Sequence, residues 1–433
     1  MKSETRILLE YIGSPDLLTV KGYRSKGGYS ALEKVLKEMT PEQVVEEVKK
    51  SGLRGRGGAG FPTAMKWSFI PKNTDKPVYM CVNADESEPG TCKDRVIIDE
   101  NPHLLIEGIL ISCYAIRSHQ AFIYIRGEFH RGAEILMMTI EDARREGLIG
   151  ENILGSGFSC EITVYRGAGA YICGEETGLL SSLEGDRGYP RNKPPFPAIE
   201  GLYRSPTIIN NVETLSAVPS IITNGGEWYS RMGTEKSTGT RLLSLSGHVN
   251  KPGVYEVELG KMTLREFIMD EAFGGGIPGG RRIKGVIPGG SSMPVLRDEQ
   301  LDIPLTFEDI QAAGSSLGSG AIIVMDETVD MVEACLLIAK FYRHESCGQC
   351  TPCREGTQWF VQILQAIQNG EGREEDLDLL LDICRSEFTS ICALWAAAVW
   401  PVRAFVKQFP EEFRAKIKNA NPSREAPVVK AAV

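Results

Sequence analysis

The 433-residue chain has no surplus of positive charge: 48 Lys and Arg stand against 57 Asp and Glu, a formal net charge of -9. A chain so charged has no general attraction to nucleic acid or anionic lipid, and nucleic acid is not expected as a partner. No apolar run reaches the roughly 18–20 residues that a spanning helix needs, so no direct membrane span is expected. The opening MKSETRILLEY carries acids where a secretory signal has its basic and apolar regions. Fixed-period repeats and low-complexity tracts are lacking too. Histidine is scarce: His103, His119, His130, His248 and His344 show no ligand spacing. Only His344, three residues before Cys347, stands where it would tune a thiol site. The eleven cysteines are an odd number scattered over a long chain. That excludes a secreted disulfide framework and leaves reduced thiols with some metal ligation, hence a soluble intracellular protein.

What is present is 42% hydrophobic and 24% charged residues, enough for two or three domains. From Val78 to about Leu183, short apolar runs (VYMCVNAD, AFIYIRGE, ITVYRG) alternate with longer amphipathic ones (HLLIEGILISCYAI, ILMMTIEDARREG). That alternation predicts strands joined by helices, an α/β layer fold. Between Gly185 and Pro219 the chain is rich in Gly, Pro, Arg and Asn, a composition expected to continue neither helix nor central strand. RLLSLSGHV, KPGVYEVEL, RIKGVIPGG and AIIVMD then read as strands around one helix, TLREFIMDEAF. Beyond Asp326 the pattern becomes helical, a bundle of about four helices followed by a loose tail, NPSREAPVVKAAV. The expected division is 1–240, 241–326 and 327–433.

Cys347, Cys350 and Cys353 form C-x2-C-x2-C, a spacing that turns three thiolates toward one inorganic cluster. Arg354 and Glu355 follow, so a fourth ligand must be remote. Cys384, in DLLLDICRS, reads as a packed core thiol. Cys392 follows Thr389 and Ser390 at a helix start, where unpaired amides favour an anionic cluster, and is preferred. A zinc knuckle is the competing account of the triplet.

GLRGRGGAGFP at 52–62 holds five glycines around Arg54 and Arg56, so main-chain amides can approach an anion or a flat ring. It lacks the preceding strand of a dinucleotide fingerprint and the ending of a P-loop. A second loop, RGAGAYICGEETGLL, ends in Glu175 and Glu176, which suit either helix capping or ribose hydroxyls. A third, NADESEPG, puts Asn83, Asp85, Glu86 and Glu88 at a strand end, where open α/β sheets bind ligands. Phe61, Trp67, Phe69 and Phe196 are candidates for stacking on adenine or flavin, and Asn210 and Asn211 for reading a flavin edge or phosphate.

GLRGRGGAGFPT, NADESEPG, GAGAYICGEET, KPPFPA, NNVETL, SCGQCTPCREG and ICAL occur in this order and resemble the flavin-bearing, NADH-oxidising subunit of respiratory complex I, from about Gly52 to Pro401. The resemblance implies an α/β, Rossmann-like domain for FMN and NAD(H), a β-grasp-like insert and a helical bundle carrying one 4Fe-4S cluster. It implies that Gly55, Arg56, Gly57, Lys66, Asn83, Asp85, Glu86, Ser87, Tyr171, Gly174, Glu175, Glu176, Asn210, Asn211 and Thr214 surround FMN, with Ala393 and Leu394 close to the flavin. Phe61, Phe69 and Phe196 would hold adenine, with Lys66, Glu88, Glu176 and Lys193 around the nucleotide's polar groups. Cys347, Cys350, Cys353 and Cys392 would carry the cluster. Implied partners are an adjacent 2Fe-2S thioredoxin-like subunit and a larger iron-sulfur subunit, the assembly being peripheral on the cytoplasmic side of the inner membrane. The chain departs from the family at CALWAAAVWP, where Trp395 and Ala396 replace a glycine and an acid, and at Gly178, where alanine is usual. Competing readings are a diaphorase subunit of a soluble NAD-linked hydrogenase or formate dehydrogenase, a flavin-free iron-sulfur scaffold, and a zinc-stapled binding module.

Overall fold

The computed structural model describes residues 5–418, and the chain divides into two compact units, Met1–Glu327 and Thr328–Val433. In the first, four β-branched and aromatic runs form a parallel sheet: β1 (Tyr79–Ala84), β2 (Gln120–Ile125), β3 (Glu161–Arg166) and β4 (Thr207–Asn211), in the order β3-β2-β1-β4. The order reverses direction between β1 and β4, whose register pairs Val82 with Asn210 and Asn83 with Asn211. Such a reversal opens a crevice at the carboxyl ends of the two strands, where ligands bind in doubly wound folds. One expectation fails in part here, since the Gly- and Pro-rich stretch does hold a helix, while its strand is an edge and not a central one. The run TIINN, inside the Gly- and Pro-rich stretch, is β4, and helices Val212–Ser216 and Val218–Asn224 follow directly. Two β-branched isoleucines at an edge position outweigh the surrounding breakers, because an edge strand needs a ladder on one side only.

The helix Pro102–Ile116, PHLLIEGILISCYAI, is buried on nearly every face. The amino-terminal segment covers it, and a polar joint fixes that cover: the Glu107 carboxylate accepts from the Tyr23 hydroxyl at 2.6 Å and from the amides of Tyr29 at 2.9 Å and Leu32 at 3.1 Å. The Tyr29 hydroxyl meets His103 Nδ1 at 2.8 Å, and burial pulls His103 down to about 4, so this histidine is a neutral structural residue. On another face, a Cβ at Gly108 would stand 2.1 Å from the Leu215 carbonyl oxygen, which is why this helix carries a glycine at its interior.

A second, mixed sheet has the order β6-β5-β9-β7-β8, from β5 (Thr240–Gly247), β6 (Gly253–Glu258), β7 (Ile283–Ile287), β8 (Leu296–Arg297) and β9 (Ala321–Asp326). β5 and β9 run parallel and the other pairs antiparallel, a β-grasp-like arrangement. Two helices belong to it rather than the single one expected: Leu264–Met269 behind a Thr263–Glu266 capping box, and Phe307–Ala312 capped by Thr306.

This sheet also holds the start of the chain. Glu256, on β6 and fully buried, accepts from the amides of Ile7, Leu8 and Leu9 at 2.7, 2.8 and 3.1 Å and from the Thr240 hydroxyl at 2.6 Å. Burial pushes its carboxyl from near 4.5 up to about 7, the donors offsetting part of the rise. A carboxyl raised on folding favours the folded state when protonated, so its contribution is complete below about pH 4.5 and is lost as pH rises through about 7. Glu256→Gln should therefore flatten the stability profile between about pH 5 and 7.5, read as the thermal midpoint across that range. An unchanged slope in the variant would show that Glu256 is not the group titrating.

The second unit holds helices Met331–Glu345, Thr351–Gln368, Glu375–Ile383, Leu394–Gln408 and Pro410–Lys418, one more than expected. Trp395 is a core residue. Its ring stacks on Phe360 at 5.3 Å, its Nε1 donates to the Ser386 carbonyl at 2.9 Å, and it covers Gly356 so closely that a Cβ there would stand 2.3 Å from the indole. Gly356 is thus the companion that makes room for the large ring, and burying it adds stacking and apolar area inside the bundle.

Candidate functional site

The glycine loop is closed by its own backbone: Gly55 N–H donates to the Phe61 carbonyl at 2.8 Å and Thr63 N–H to Leu53 at 2.9 Å, while Arg54 Nε reaches the Gly60 carbonyl at 2.7 Å. Its tip is Arg56–Gly60. Arg56 N–H donates to Thr214 Oγ1 at 2.8 Å, which pins the tip beside the end of β4. The Arg56 guanidinium points away from the crevice, buried on the carbonyls of Thr238 and Thr240 at 2.9 Å each, so this residue enters the site through its main chain. Gly57 lies against Asn211, where a Cβ would stand 3.0 Å from the Asn211 Cβ. Among the described residues, nothing accepts from the amides of Gly57, Gly58 or Ala59. Successive amides left open beside a strand end suit a phosphate or the oxygen-rich edge of a flavin, so the loop fits FMN.

Opposite the loop, Asn83 Nδ2 donates to the Gly174 carbonyl at 2.8 Å, tying β1 to the second glycine loop. A Cβ on Gly174 would touch the Asp85 carbonyl and Ser87 Oγ at 3.5 and 3.6 Å, so these three predicted residues form one wall. Glu86 does something else. It is buried, and its carboxylate accepts from the amides of Asp94 and Arg95 at 2.8 and 3.1 Å, capping the helix Lys93–Glu100; burial and then Asp94 raise it to about 7. Asn211 is similarly engaged: its oxygen caps the helix Val212–Ser216 through Glu213 N–H at 3.1 Å and its nitrogen donates to Asp94 at 2.6 Å. Asn210 takes the Trp67 indole N–H at 2.9 Å, so Trp67 is a buried support rather than a stacking surface.

Lys93, Asp94 and Glu213, which the sequence does not single out, form a buried triad under this floor. Lys93 Nζ lies 2.7 Å from Asp94 and 2.8 Å from Glu213, with all three side chains almost inaccessible. Burial opposes the charge on Lys93, but the two carboxylates outweigh it and push the ammonium up to about 12.

At the rim, Glu175 caps the helix Glu176–Leu183 through the amides of Thr177 and Gly178 at 2.8 and 2.9 Å. Glu176 instead bridges Lys66 at 3.2 Å and Lys193 at 2.5 Å. Burial raises its carboxyl, yet the two lysines prevail and hold it below the usual range, so Glu176 is an anion at neutral pH. Lys66 also donates to the Ile209 carbonyl at 2.8 Å. Phe61 and Phe69 stand 6.0 Å apart and about half exposed, and Phe196 is more exposed still; large apolar rings left open at a crevice fit a nucleotide base. Tyr171 donates its hydroxyl to Glu88 at 2.6 Å.

In the second unit, Cys350 is the residue before the helix Thr351–Gln368 and Cys353 lies in its first turn. Ile391 N–H donates to Cys350 Sγ at 3.4 Å, which brings the Cys392 loop to the triplet. Ala393 and Leu394 begin the next helix. Cys384 is buried with its thiol toward the Val399 carbonyl at 3.9 Å, the core thiol expected. Among the described residues no three His, Cys, Asp or Glu side chains gather around a single-ion position. Cys347, Cys350, Cys353 and Cys392 are all free thiols, and a four-cysteine donor set is chemically the kind that holds a four-iron cluster. His344 is exposed, whereas Ser346 Oγ lies 3.2 Å from Cys353 Sγ. Burial pushes Cys353 up to about 11, a cost that bound iron cations remove.

Three family models cover the chain: the Nuo51 FMN-binding domain over residues 48–220, an SLBB domain over 241–324, and the NADH-ubiquinone oxidoreductase-F iron-sulfur binding region over 333–416. One of the F-subunits of NADH-quinone oxidoreductase in Rhizobium meliloti is 50% identical over 95% of this chain and 97% of its own length. The F-subunit of NADH-quinone oxidoreductase in Streptomyces coelicolor is 53% identical over 92% of this chain and 88% of its own. Among solved structures, a NAD+-reducing NiFe-hydrogenase in the H2-reduced state matches with a TM-score of 0.83 and 34% identity, over 97% of this chain and 67% of that one.

Proposed function

The chain belongs to the family of NADH-quinone oxidoreductase F-subunits, and on that premise we propose that it is the electron-input subunit, with the residues below in the named roles. FMN, when bound, accepts a hydride from NADH and hands the electrons on singly to a 4Fe-4S cluster. The amides of Gly57, Gly58 and Ala59, beside Asn211 at the sheet's reversal, are the single observation that carries the flavin assignment. Asn83, Asp85, Ser87 and Gly174 line the opposite wall. Phe61, Phe69 and Phe196 stack on adenine, and Lys66, Lys193 and Glu88 meet the polar groups of the nucleotide. Because Glu175 is engaged in capping, Glu176 is the carboxylate that accepts from the ribose hydroxyls and repels a 2'-phosphate, which favours NADH over NADPH. Cys347, Cys350, Cys353 and Cys392 hold the cluster.

The partners are an adjacent 2Fe-2S thioredoxin-like subunit and a larger iron-sulfur subunit, through which the chain sits peripherally on the cytoplasmic side of the inner membrane. Among the described residues no helix is long and apolar enough to cross a membrane. The hydrogenase likeness supports the same chemistry in a diaphorase, but at lower identity than the quinone-reductase relatives. The test is the anaerobic visible spectrum of the cofactor-replete chain before and after one equivalent of NADH, with NADPH as control. Flavin and cluster bands should bleach with NADH alone. Equal bleaching by both nucleotides would remove Glu176 from its role, and no bleaching by either would remove the function.

A further inference from the structure

Glu88 leaves the end of β1 and is met by two arms. From the second glycine loop, Tyr171 donates to its Oε2 at 2.6 Å. From the loop between β7 and β8, Ser292 N–H and the Ser291 hydroxyl donate to its Oε1 at 2.7 and 3.2 Å. Ser291 and Ser292 are both buried. Their loop is fixed to the sheet behind it, since Gly290 N–H donates to the Ala321 carbonyl at 2.8 Å and Ser319 N–H to Gly289 at 3.0 Å. Ser291 N–H adds a bond to the Pro89 carbonyl at 3.3 Å, next to Glu88 itself. Gly290 has φ +98°, and a Cβ there would stand 2.5 Å from Glu88 Cγ and 2.8 Å from its Oε1. No residue but glycine places the loop here without displacing the acid.

We propose that Gly290, Ser291 and Ser292 are positioning residues for the nucleotide site: the β-grasp-like domain holds the Glu88 carboxylate, and so sets the affinity for NAD(H) without touching it. The inference rests on the reading above, in which Glu88 meets the polar groups of the nucleotide. A carboxylate oxygen has two lone pairs, and each Glu88 oxygen receives at least one protein donor. The donors fix the position and the plane of the carboxylate that a ligand hydroxyl or amide meets. A carboxylate free to rotate would lose that orientation each time the nucleotide binds. The serines therefore act on binding rather than on the flavin, whose proposed walls are formed by other residues.

The experiment uses the full chain loaded with FMN and cluster, as Ser291→Ala, Gly290→Ala and, as a control for general loosening of this sheet, Thr306→Ala. Thr306 is buried and caps the helix Phe307–Ala312, and none of its own hydrogen bonds is to Glu88 or to the Gly290–Ser292 loop. Four quantities are read: flavin released per chain, kcat, KM for NADH, and the Kd of NAD+ by calorimetry. Ser291→Ala should raise KM and Kd about fivefold, the effect of one hydrogen bond to a charged acceptor, with kcat at saturation and flavin content unchanged. Gly290→Ala should raise both by about tenfold or more, because the acid must move. Thr306→Ala should leave both where they were. Unchanged KM and Kd in the two loop variants overturn the inference, as does an equal rise in Thr306→Ala. If the unmodified chain takes no electrons from NADH, the functional reading falls and this inference with it. If it does, and the loop variants bind normally, only the inference falls.

Discussion

Replacing Cys392 with alanine is expected to remove the iron-sulfur absorption and the low-temperature paramagnetic signal of the reduced protein, whereas Cys384→Ala leaves both intact. The contrast follows from two environments. Cys392 sits in a partly exposed loop joined to the triplet through the bond from Ile391 to Cys350, immediately before a helix whose first amides are open to an anion. Cys384 is 1% exposed, and burial pushes its thiol up to about 12, the environment of an inert core thiol. Iron content per chain, measured after anaerobic reconstitution, should fall from about four to near zero in the first variant only. Flavin content should be unchanged in both, since the glycine loops belong to the other unit. Loss of the cluster in Cys384→Ala with retention in Cys392→Ala would reverse the assignment.

The second large effect is expected at Lys93. Lys93→Met removes the one ammonium between Asp94 and Glu213 and leaves two carboxylates facing each other at nearly zero exposure. Breaking a buried pair from one side costs about 3–5 kcal/mol, because the remaining charge is neither solvated nor compensated. The damage should spread in a definite direction. Asp94 is also the acceptor for Asn211, and Glu213 accepts from Leu242 N–H at 2.8 Å at the start of β5, so the triad joins the proposed flavin floor to the second sheet. Denaturant unfolding of Lys93→Met should shift its first transition to lower concentration, with flavin lost before the cluster. Lys93→Met/Glu213→Gln, which removes one charge of each sign, should recover part of the loss. A variant with an unchanged midpoint and full flavin would show that the triad is not a support.

The parts legible from the sequence are those whose signal is local. The C-x2-C-x2-C run, the three loops and each single strand or helix of the alternation lie within about 15 consecutive residues. Parts set by distant contacts were not legible. Nothing around CKDR distinguishes Lys93 and Asp94 from an ordinary exposed pair until Glu213 arrives beside them. The Arg56 guanidinium reads as a ligand group in GLRGRGG and is in fact buried on two carbonyls more than 180 positions later. Asn211 shows both limits: the amide pair was visible in TIINN, but its engagement with Asp94 and a helix end was not. Trp395 was readable as a departure from the family, while its compensation by Gly356 needed the packing.

The pinning of the glycine loop has a consequence for how the protein is made. Arg56 is held by Thr214, Thr238 and Thr240, at sequence separations of 158, 182 and 184 residues. On a ribosome moving at roughly 5–20 residues per second, the loop emerges some ten to thirty seconds before the first of its anchors exists. Throughout that interval the open amides of Gly57, Gly58 and Ala59 belong to a flexible strand with no fixed shape to offer. On the proposed assignment of the loop to FMN, flavin would be captured only after β4 and the first strand of the second sheet have left the exit tunnel, a late event of biosynthesis. Chains halted before Thr240 should emerge colourless however much flavin surrounds them.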